Sequence, residues 1–255
     1  LIRHITPLEK ERISDPEAAL DGRPLRLSSV RVCSPIPHPE QDIICLGVNY
    51  AAHADESAQF DRKAFLLDRK KATYFSKRAY QTSGPDDLIP SYPELVTSLD
   101  YEAELAVIIG RDCKNVCERD AAACIFGYTV LNDVSARNLQ TEHNQWYFGK
   151  SLDGFTPMGP CIVTEDEIPY PPALSISSTV NGELRQNSNT KYLLHSISEI
   201  IAELSQGMTL LAGTIIATGT PAGVGMGFDP PKFLKSGDVV TCEIEKIGRL
   251  TNMVK

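Results

Sequence analysis

The chain of 255 residues contains no apolar run approaching the roughly 18–20 residues that a membrane-spanning helix needs. It is also short of basic charge. Its 25 Lys and Arg face 33 Asp and Glu, leaving a net charge of −8, and a nucleic-acid footprint would need a basic patch. The one basic run, Arg62-Lys63 to Arg69-Lys70-Lys71, is mixed with acids and reads as a solvated helix face. Cys-x-x-Cys is missing. Seven cysteines, an odd number in a chain this long, do not make a disulfide scaffold, and Cys113, Cys117 and Cys124 lack the paired spacing of a zinc site. They read as reduced thiols in a cytosol-like compartment. The glycines from Gly219 to Gly227 lack both the Lys-Ser/Thr of a P-loop and the spacing of a dinucleotide fingerprint. Gly149-Lys150-Ser151-Leu152-Asp153 is not a nucleophile elbow, and His-Glu-x-x-His does not occur. Nucleotide binding, serine hydrolysis and zinc peptidase chemistry drop out. Arg3, His4, Glu9 and Lys10 argue against a signal peptide at this N-terminus, while Leu1 in place of Met leaves an upstream targeting segment open.

What the chain does have is an acid pair inside a core-like strand. In Asp100-Tyr101-Glu102-Ala103-Glu104-Leu105-Ala106-Val107-Ile108-Ile109, alternation puts Glu102 and Glu104 on one face, about 6–7 Å apart. Two like charges beside an apolar run repel and are costly to bury. A hard divalent cation such as Mg²⁺ or Mn²⁺, which prefers carboxylate oxygens and water, removes both problems. A third acid closes the β-rich run Tyr128-Thr129-Val130-Leu131-Asn132-Asp133. Taken alone, the pair fits the solvated face of an amphipathic strand equally well.

The rest of the chain, 42% hydrophobic, is enough for one large domain with a small appendage. Residues 1–42, with Pro7, Pro24, Pro35, Pro37 and Pro39, read as a small N-terminal β-unit and proline-rich connector; residues 43–255 read as the main domain. Ile43 to Val48 is a compact strand, and Asn49 is a plausible N-cap for a helical turn on which His53 and Glu56 share a face. Ser57 to Lys71 is charged and weakly periodic, in the manner of a mobile lid. Glu118 to Ala123 predicts a short helix closed by Gly127. Asn181-Gly182 predicts a hairpin turn, and Ser196-Ile197-Ser198-Glu199 a capping box opening a helix that stops near Gly207. Strands follow at Thr214–Thr218, Val239–Ile244 and Arg249–Val254. Strands dominate, so the expected class is mainly β with short helices (α+β).

Five blocks in order resemble the fumarylacetoacetate hydrolase family, in its single-domain bacterial and mitochondrial-type members. They are Gly47-Val48-Asn49-Tyr50-Ala51-Ala52-His53-Ala54-Asp55-Glu56, then Asp100-Tyr101-Glu102-Ala103-Glu104-Leu105-Ala106-Val107, then Asn132-Asp133-Val134-Ser135-Ala136-Arg137-Asn138-Leu139-Gln140. Gly149-Lys150-Ser151-Leu152-Asp153-Gly154-Phe155 and Gly219-Thr220-Pro221-Ala222-Gly223-Val224-Gly225 complete the set. The resemblance covers residues 43–255 and implies a distorted β-sandwich or roll of mixed sheets, a homodimer, and a metal-dependent enzyme acting on 2-oxo or β-diketo acids. Position by position, it implies that Glu102, Glu104 and Asp133 ligate one Mg²⁺ or Mn²⁺ per subunit. It makes Lys150 a catalytic lysine, His53 and Glu56 a dyad on a lid helix, and Lys77, Arg137, Gln140 and Thr220 substrate-binding groups. The expected compartment is cytoplasmic, or mitochondrial in a eukaryotic source. The long, proline-free lid segment from Ser57 to Thr73 departs from the family pattern.

An enolate formed at C3 of an oxo acid serves three reactions on such a scaffold. Water delivered by His53 and Glu56 gives C–C hydrolysis of an acylpyruvate, which stands first because the dyad is intact. Reprotonation gives tautomerisation or isomerisation, of oxaloacetate or 2-hydroxyhepta-2,4-diene-1,7-dioate, and loss of CO₂ gives oxaloacetate decarboxylation. The glycine loop with its sequel Phe228 to Lys235 looks closest to the subgroup that includes mitochondrial-type oxaloacetate tautomerases, and the resemblance extends to bacterial enzymes handling 2-hydroxyhepta-2,4-dienedioate. A rival of another class is an inactive scaffold that kept the fold; intact acids at all three metal positions argue against it.

Overall fold

The computed structural model describes residues 31–65, 68–143 and 145–255. A mixed six-stranded sheet has the order β2 (Thr73–Lys77), β1 (Ile43–Gly47), β11 (Ile215–Ala217), β5 (Ala103–Ile109), β6 (Ile125–Asn132) and β8 (Met158–Thr164). A five-stranded sheet runs β10 (Glu183–Asn189), β9 (Ser175–Val180), β12 (Val239–Ile244), β13 (Gly248–Val254) and β3 (Leu88–Ile89), and β4 (Leu99–Asp100) pairs with β7 (Ser135–Ala136). The helices are short: α1 (Ala51–Phe60), α2 (Arg62–Phe65), α3 (Arg137–Glu142), α4 (Tyr147–Lys150) and α5 (Ile197–Gly207). The fold is mainly β with mixed sheets, as the sequence predicts.

Strand β5 decides where everything else goes. Every residue from Ala103 to Ile109 is buried, which is why this stretch reads as one unbroken apolar run rather than as alternation. Leu105, Val107 and Ile109 enter the core between the two sheets with Ile176, Val180, Val240 and Ile244. Ala106 and Ile108 face the other way and join Ile43, Cys45, Ile215 and Ala217. Each such aliphatic side chain contributes about 1.5–3 kcal/mol by leaving water. The period of two puts Glu104 on that second face, at the end of the strand, where side chains from outside the sheet can reach it.

Local signals set the connections. Asn181 (φ 51°) and Gly182 (φ 81°) turn β9 into β10, both in the left-handed region such a turn requires. Ser196 and Glu199 form the capping box of α5, with Ser196 N–H donating to Glu199 Oε2 at 2.6 Å and Glu199 N–H to Ser196 Oγ at 3.2 Å. That helix buries Ile197, Ile200, Ile201 and Leu204, a single face.

Three expectations change. Asn49 does not cap α1. Its side chain is taken by longer-range partners, donating to Thr218 O at 2.9 Å and accepting from His195 N at 2.8 Å, and Tyr50 stands at the cap without a side-chain bond. Gly127 closes no helix. A 3₁₀ stretch, Glu118–Cys124, ends before it, and Gly127 lies inside β6, where a Cβ would meet Val163 O at 2.3 Å. The segment after Ser57 is partly helical, completing α1 and forming α2, with residues 66 and 67 outside the described residues. The expected N-terminal β-unit falls on residues 1–30, also outside them, and residues 31–42 carry neither helix nor strand. No described helix is long and apolar enough to cross a membrane.

Candidate functional site

Among the described residues, the buried carboxylates are Asp100, Glu102, Glu104 and Asp133, and the buried lysine and arginine side chains are Lys77, Arg137 and Lys150. All seven are neighbours. Backbone geometry assembles them: Asp133 N–H donates to Glu102 O at 2.9 Å, continuing the β5–β6 ladder one step beyond the strands, and Glu102 N–H donates to Asn132 Oδ1 at 3.0 Å. Lys150, the last residue of α4, and Lys77, the last of β2, close over the same spot. Glu102, Glu104 and Asp133 each offer a carboxylate oxygen within 4.8 Å of the other two.

The pairing is uneven. Lys150 Nζ bridges Glu102 Oε2 and Asp133 Oδ2, each at 2.7 Å. Arg137 holds Asp100 through Nε at 2.9 Å and Glu102 through Nη1 at 2.7 Å. Burial alone would raise the Glu102 carboxyl, but Lys150 and Arg137 outweigh it and hold the group at about 2. Among the described residues Glu104 makes no ion pair, and the nearby Lys150 only partly offsets its burial. Its described hydrogen bond comes from Gly219 N–H at 2.8 Å, and burial, then the Asp133 and Glu102 carboxylates, push its pKa well above the ordinary range. Burial opposes the charge of Lys150, yet Asp133 and Glu102 prevail and raise it.

These groups fit a hard divalent cation. Once Glu104 gives up its proton, four carboxylates face three cations in a water-poor place, an imbalance that a divalent cation would relieve. Asp133 Oδ1 is buried with no aligned hydrogen-bond donor, although Lys77 Nζ stands 2.7 Å away as an ion pair. Carboxylate oxygens keep lone pairs for a metal even when lysines contact them.

The cleft above the carboxylates is lined by Glu102, Arg137, Gln140, Lys150, Thr220 and His53 on its polar side, and by Leu46, Val48, Phe65, Phe75 and Trp146 on its apolar side. Its free space is about 10 Å³, room for one water. Any organic ligand must therefore enter with the covering elements displaced. Those elements are α1, carrying His53, and α2, whose Phe65 packs on Trp146 with ring centroids 5.4 Å apart. His53 Nδ1 lies 2.8 Å from Glu56 Oε1, and Nε2, 3.5 Å from Ser57 Oγ, is the ring nitrogen left to act in the cleft.

Two expected substrate contacts are altered by what surrounds them. Lys77 is not part of the cleft wall: its ammonium donates to Val134 O at 3.2 Å and Lys150 O at 2.5 Å and pairs with Asp133, so it holds the carboxylate and α4 from behind. Thr220 does line the cleft, but its hydroxyl donates to Ala103 O at 2.9 Å and accepts from Gln186 Nε2 at 2.7 Å, leaving the backbone amide to meet a ligand. Sequence reasoning missed Asp100, which accepts from Arg137 Nε and from Gly225 and Met226 N–H at 2.6 and 3.0 Å. An acid at the edge of a buried run was its available signal. It also missed Gln186, whose four hydrogen bonds reach Ala103, Ser178, Thr220 and Pro221, and Trp146, whose neighbours lie far away in sequence.

Residues 42–255 match the family model described as fumarylacetoacetate (FAA) hydrolase C-terminal. The oxaloacetate tautomerase YisK of Bacillus subtilis is 46% identical over 228 residues, covering 89% of this chain and 74% of that protein. The mitochondrial oxaloacetate tautomerase fahd2 of Xenopus laevis is 41% identical over 257 residues, covering 99% and 78%. A solved fumarylacetoacetate hydrolase from Exiguobacterium antarcticum superposes with a TM-score of 0.79 at 46% identity, covering 89% of this chain and 78% of its own.

Proposed function

The chain belongs to the fumarylacetoacetate hydrolase family, and from that premise we propose that it is a Mg²⁺- or Mn²⁺-dependent tautomerase of short 2-oxo diacids, oxaloacetate first. The observation that carries this reading is the lining of the cleft, where the His53–Glu56 pair stands with the buried carboxylates and their lysine and arginine partners. The two tautomerases among the relatives support the same choice.

A divalent cation held by Glu102, Glu104 and Asp133 would supply Lewis acidity toward the carboxylate and 2-oxo oxygens of such a substrate. The chain's own groups do the rest. Two of the three ammonium protons of Lys150 go to Glu102 and Asp133, and the third is free to stabilise the oxygen at C2 as it gains charge. Arg137 lines the cleft and its Nη2 is buried without a partner, so it offers a donor to a substrate carboxylate, as do the Gln140 amide and the Thr220 backbone amide. His53 Nε2 takes the proton from C3 or returns it, while Glu56 on Nδ1 fixes the ring. No water has to be activated for this exchange.

C–C hydrolysis of an acylpyruvate is the second reading, favoured by the same His53–Glu56 pair acting on that water. An assay with Mg²⁺ and Mn²⁺ separates the readings by running keto- and enol-oxaloacetate, acetylpyruvate, fumarylpyruvate and 2-hydroxyhepta-2,4-diene-1,7-dioate side by side. Fast interconversion of the oxaloacetate tautomers is expected. Cleavage of acetylpyruvate with no effect on oxaloacetate would replace the tautomerase by the hydrolase, and inertness to all of them would leave an inactive scaffold.

A further inference from the structure

Strand β10 turns a leucine outward and an amide inward. Leu184 is 57% exposed, whereas Gln186 is 0% exposed. Two residues apart on a regular strand, they would share a face. Against β9, Leu184 pairs with Thr179 and Gln186 with Ser178, so Arg185 is the extra residue of a bulge that sends them to opposite faces. A buried carboxamide is costly unless its hydrogen bonds are made, and hydrophobicity favours the reverse arrangement. Packing alone does not explain this choice.

Gln186 makes all four of its bonds, and three of the partners belong to the site. Its Oε1 accepts from Ala103 N–H at 3.0 Å and from Ser178 Oγ at 2.9 Å. Its Nε2 donates to Thr220 Oγ1 and to Pro221 O, each at 2.7 Å. Thr220 Oγ1 donates in turn to Ala103 O at 2.9 Å, which closes a ring of one carboxamide, one hydroxyl and both backbone groups of Ala103. Ala103 is the residue between Glu102 and Glu104. On this edge of β5 the pairing with β11 ends at Ala106 opposite Ala217, and Thr218 N–H takes Leu105 O at 3.1 Å. Among the described residues no strand continues to Ala103, and the Gln186 carboxamide fills the place of the missing peptide group. The bulge also abuts the glycine loop, where a Cβ on Gly223 would lie 2.0 Å from Arg185 O.

We propose that Gln186 is a positioning residue of the site: through this ring it fixes the spacing between the acid pair on β5 and the backbone amide of Thr220. The two sides of the ring are not held equally. The acids have a second support in β6, since Asp133 N–H donates to Glu102 O at 2.9 Å and Glu102 N–H to Asn132 Oδ1 at 3.0 Å. The Thr220 hydroxyl is bonded only within the ring. Losing Gln186 therefore frees Thr220 and leaves the acids in place. A cation on the acids does not feel that change, and a carboxylate that needs the Thr220 amide as well does.

The inference rests on the proposed site, with a cation on the acids and the Thr220 amide facing the ligand, and its test reads binding rather than turnover. Mn²⁺ affinity is measured by electron paramagnetic resonance in the full chain. Titration calorimetry then gives the affinity of the Mn²⁺-loaded protein for oxalate, a small dicarboxylate probe. The variants are Gln186→Met, Thr220→Val, Thr220→Ser and the Gln186→Met/Thr220→Val pair. Gln186→Met and Thr220→Val should each weaken oxalate binding about tenfold, the size of one lost hydrogen bond, and move the Mn²⁺ Kd by less than about threefold. Thr220→Ser keeps the hydroxyl and should bind oxalate within about twofold of wild type. The double variant should bind no more weakly than Gln186→Met, because both changes cut the same ring. Unchanged oxalate affinity in Gln186→Met, or additive losses in the pair, would overturn the proposal. So would Mn²⁺ and oxalate affinities falling together, the mark of a merely structural role. Where Gln186→Met does not fold, Thr220→Val against Thr220→Ser decides, and equal oxalate affinities there would refute the ring. A wild type that shows the binding pattern but no oxaloacetate tautomerisation would count against the reaction and leave Gln186 in its role.

Discussion

Replacing Glu104 by Gln should make the metal-free protein more stable and useless. Glu104 is 1% exposed, makes no ion pair among the described residues, and shares its pocket with the carboxylates of Glu102 and Asp133. Gln fills the same volume, keeps an oxygen for Gly219 N–H, and presents an amide donor to the neighbouring acids. An uncompensated buried polar group costs about 1–3 kcal/mol, and more when charged, so removing it should contribute a gain of that order. For a chain of this size that is a rise in Tm of roughly 2–12 °C in EDTA. The pH dependence has a definite sign. A carboxyl whose folded pKa is raised contributes stability that is fully present below its unfolded pKa and is lost as pH climbs through the raised folded value. Metal-free wild type should therefore lose stability from about pH 5 upward, and Glu104→Gln should be flatter there. Saturating Mn²⁺ should reverse the order: at 1,000 times Kd a ligand adds about 4.1 kcal/mol to wild type, and the variant should show almost none of it. Differential scanning calorimetry with EDTA and with Mn²⁺, at pH 5, 6, 7 and 8, measures all of this. A lower Tm for Glu104→Gln in EDTA, or an undiminished Mn²⁺ shift, would refute the charge argument and with it the placing of the cation.

Lys150→Ala should impair every reaction the protein catalyses, because each needs the charge at C2 stabilised, and it should cost the metal-free fold about 3–5 kcal/mol by leaving Glu102 and Asp133 facing each other unbridged. His53→Ala should slow oxaloacetate tautomerisation by about 10²–10⁴-fold and spare decarboxylation, which moves no proton at C3 in its first step; equal losses in both would remove His53 from the proton transfer. Trp146→Ala should open the far wall and raise kcat/KM for 2-hydroxyhepta-2,4-diene-1,7-dioate relative to oxaloacetate on the order of tenfold or more, read from the two substrates in competition. Ser196→Ala removes one half of the α5 capping box and should lower stability by about 1 kcal/mol, read from the shift in Tm. Light scattering should give the dimer mass that the family resemblance implies.

The sequence by itself determined the strands, the turns and the kind of chemistry. A period of two, a left-handed Asn-Gly pair and a capping box are local rules, satisfied by residues a few positions apart, and β9–β10, α5 and the paired acids beside β5 follow from them. Glu102 and Glu104 were legible as a buried acid pair because like charges inside an apolar run need an explanation wherever the strand ends up. Only the tertiary structure decided what each charge does. Lys77 looked like a substrate ligand and became a brace behind Asp133; Thr220 kept its amide and gave up its hydroxyl; Asn49 left its helix for Thr218 and His195. Each outcome turned on partners 50 to 170 positions away, and no pattern in a short window encodes which of two possible partners a buried donor will find. The glycine run is the sharpest case. Its spacing argues against a nucleotide loop, and the anions its amides do serve come from Asp100, Glu104 and Glu56, which meet at that loop only once both sheets and α1 are in place.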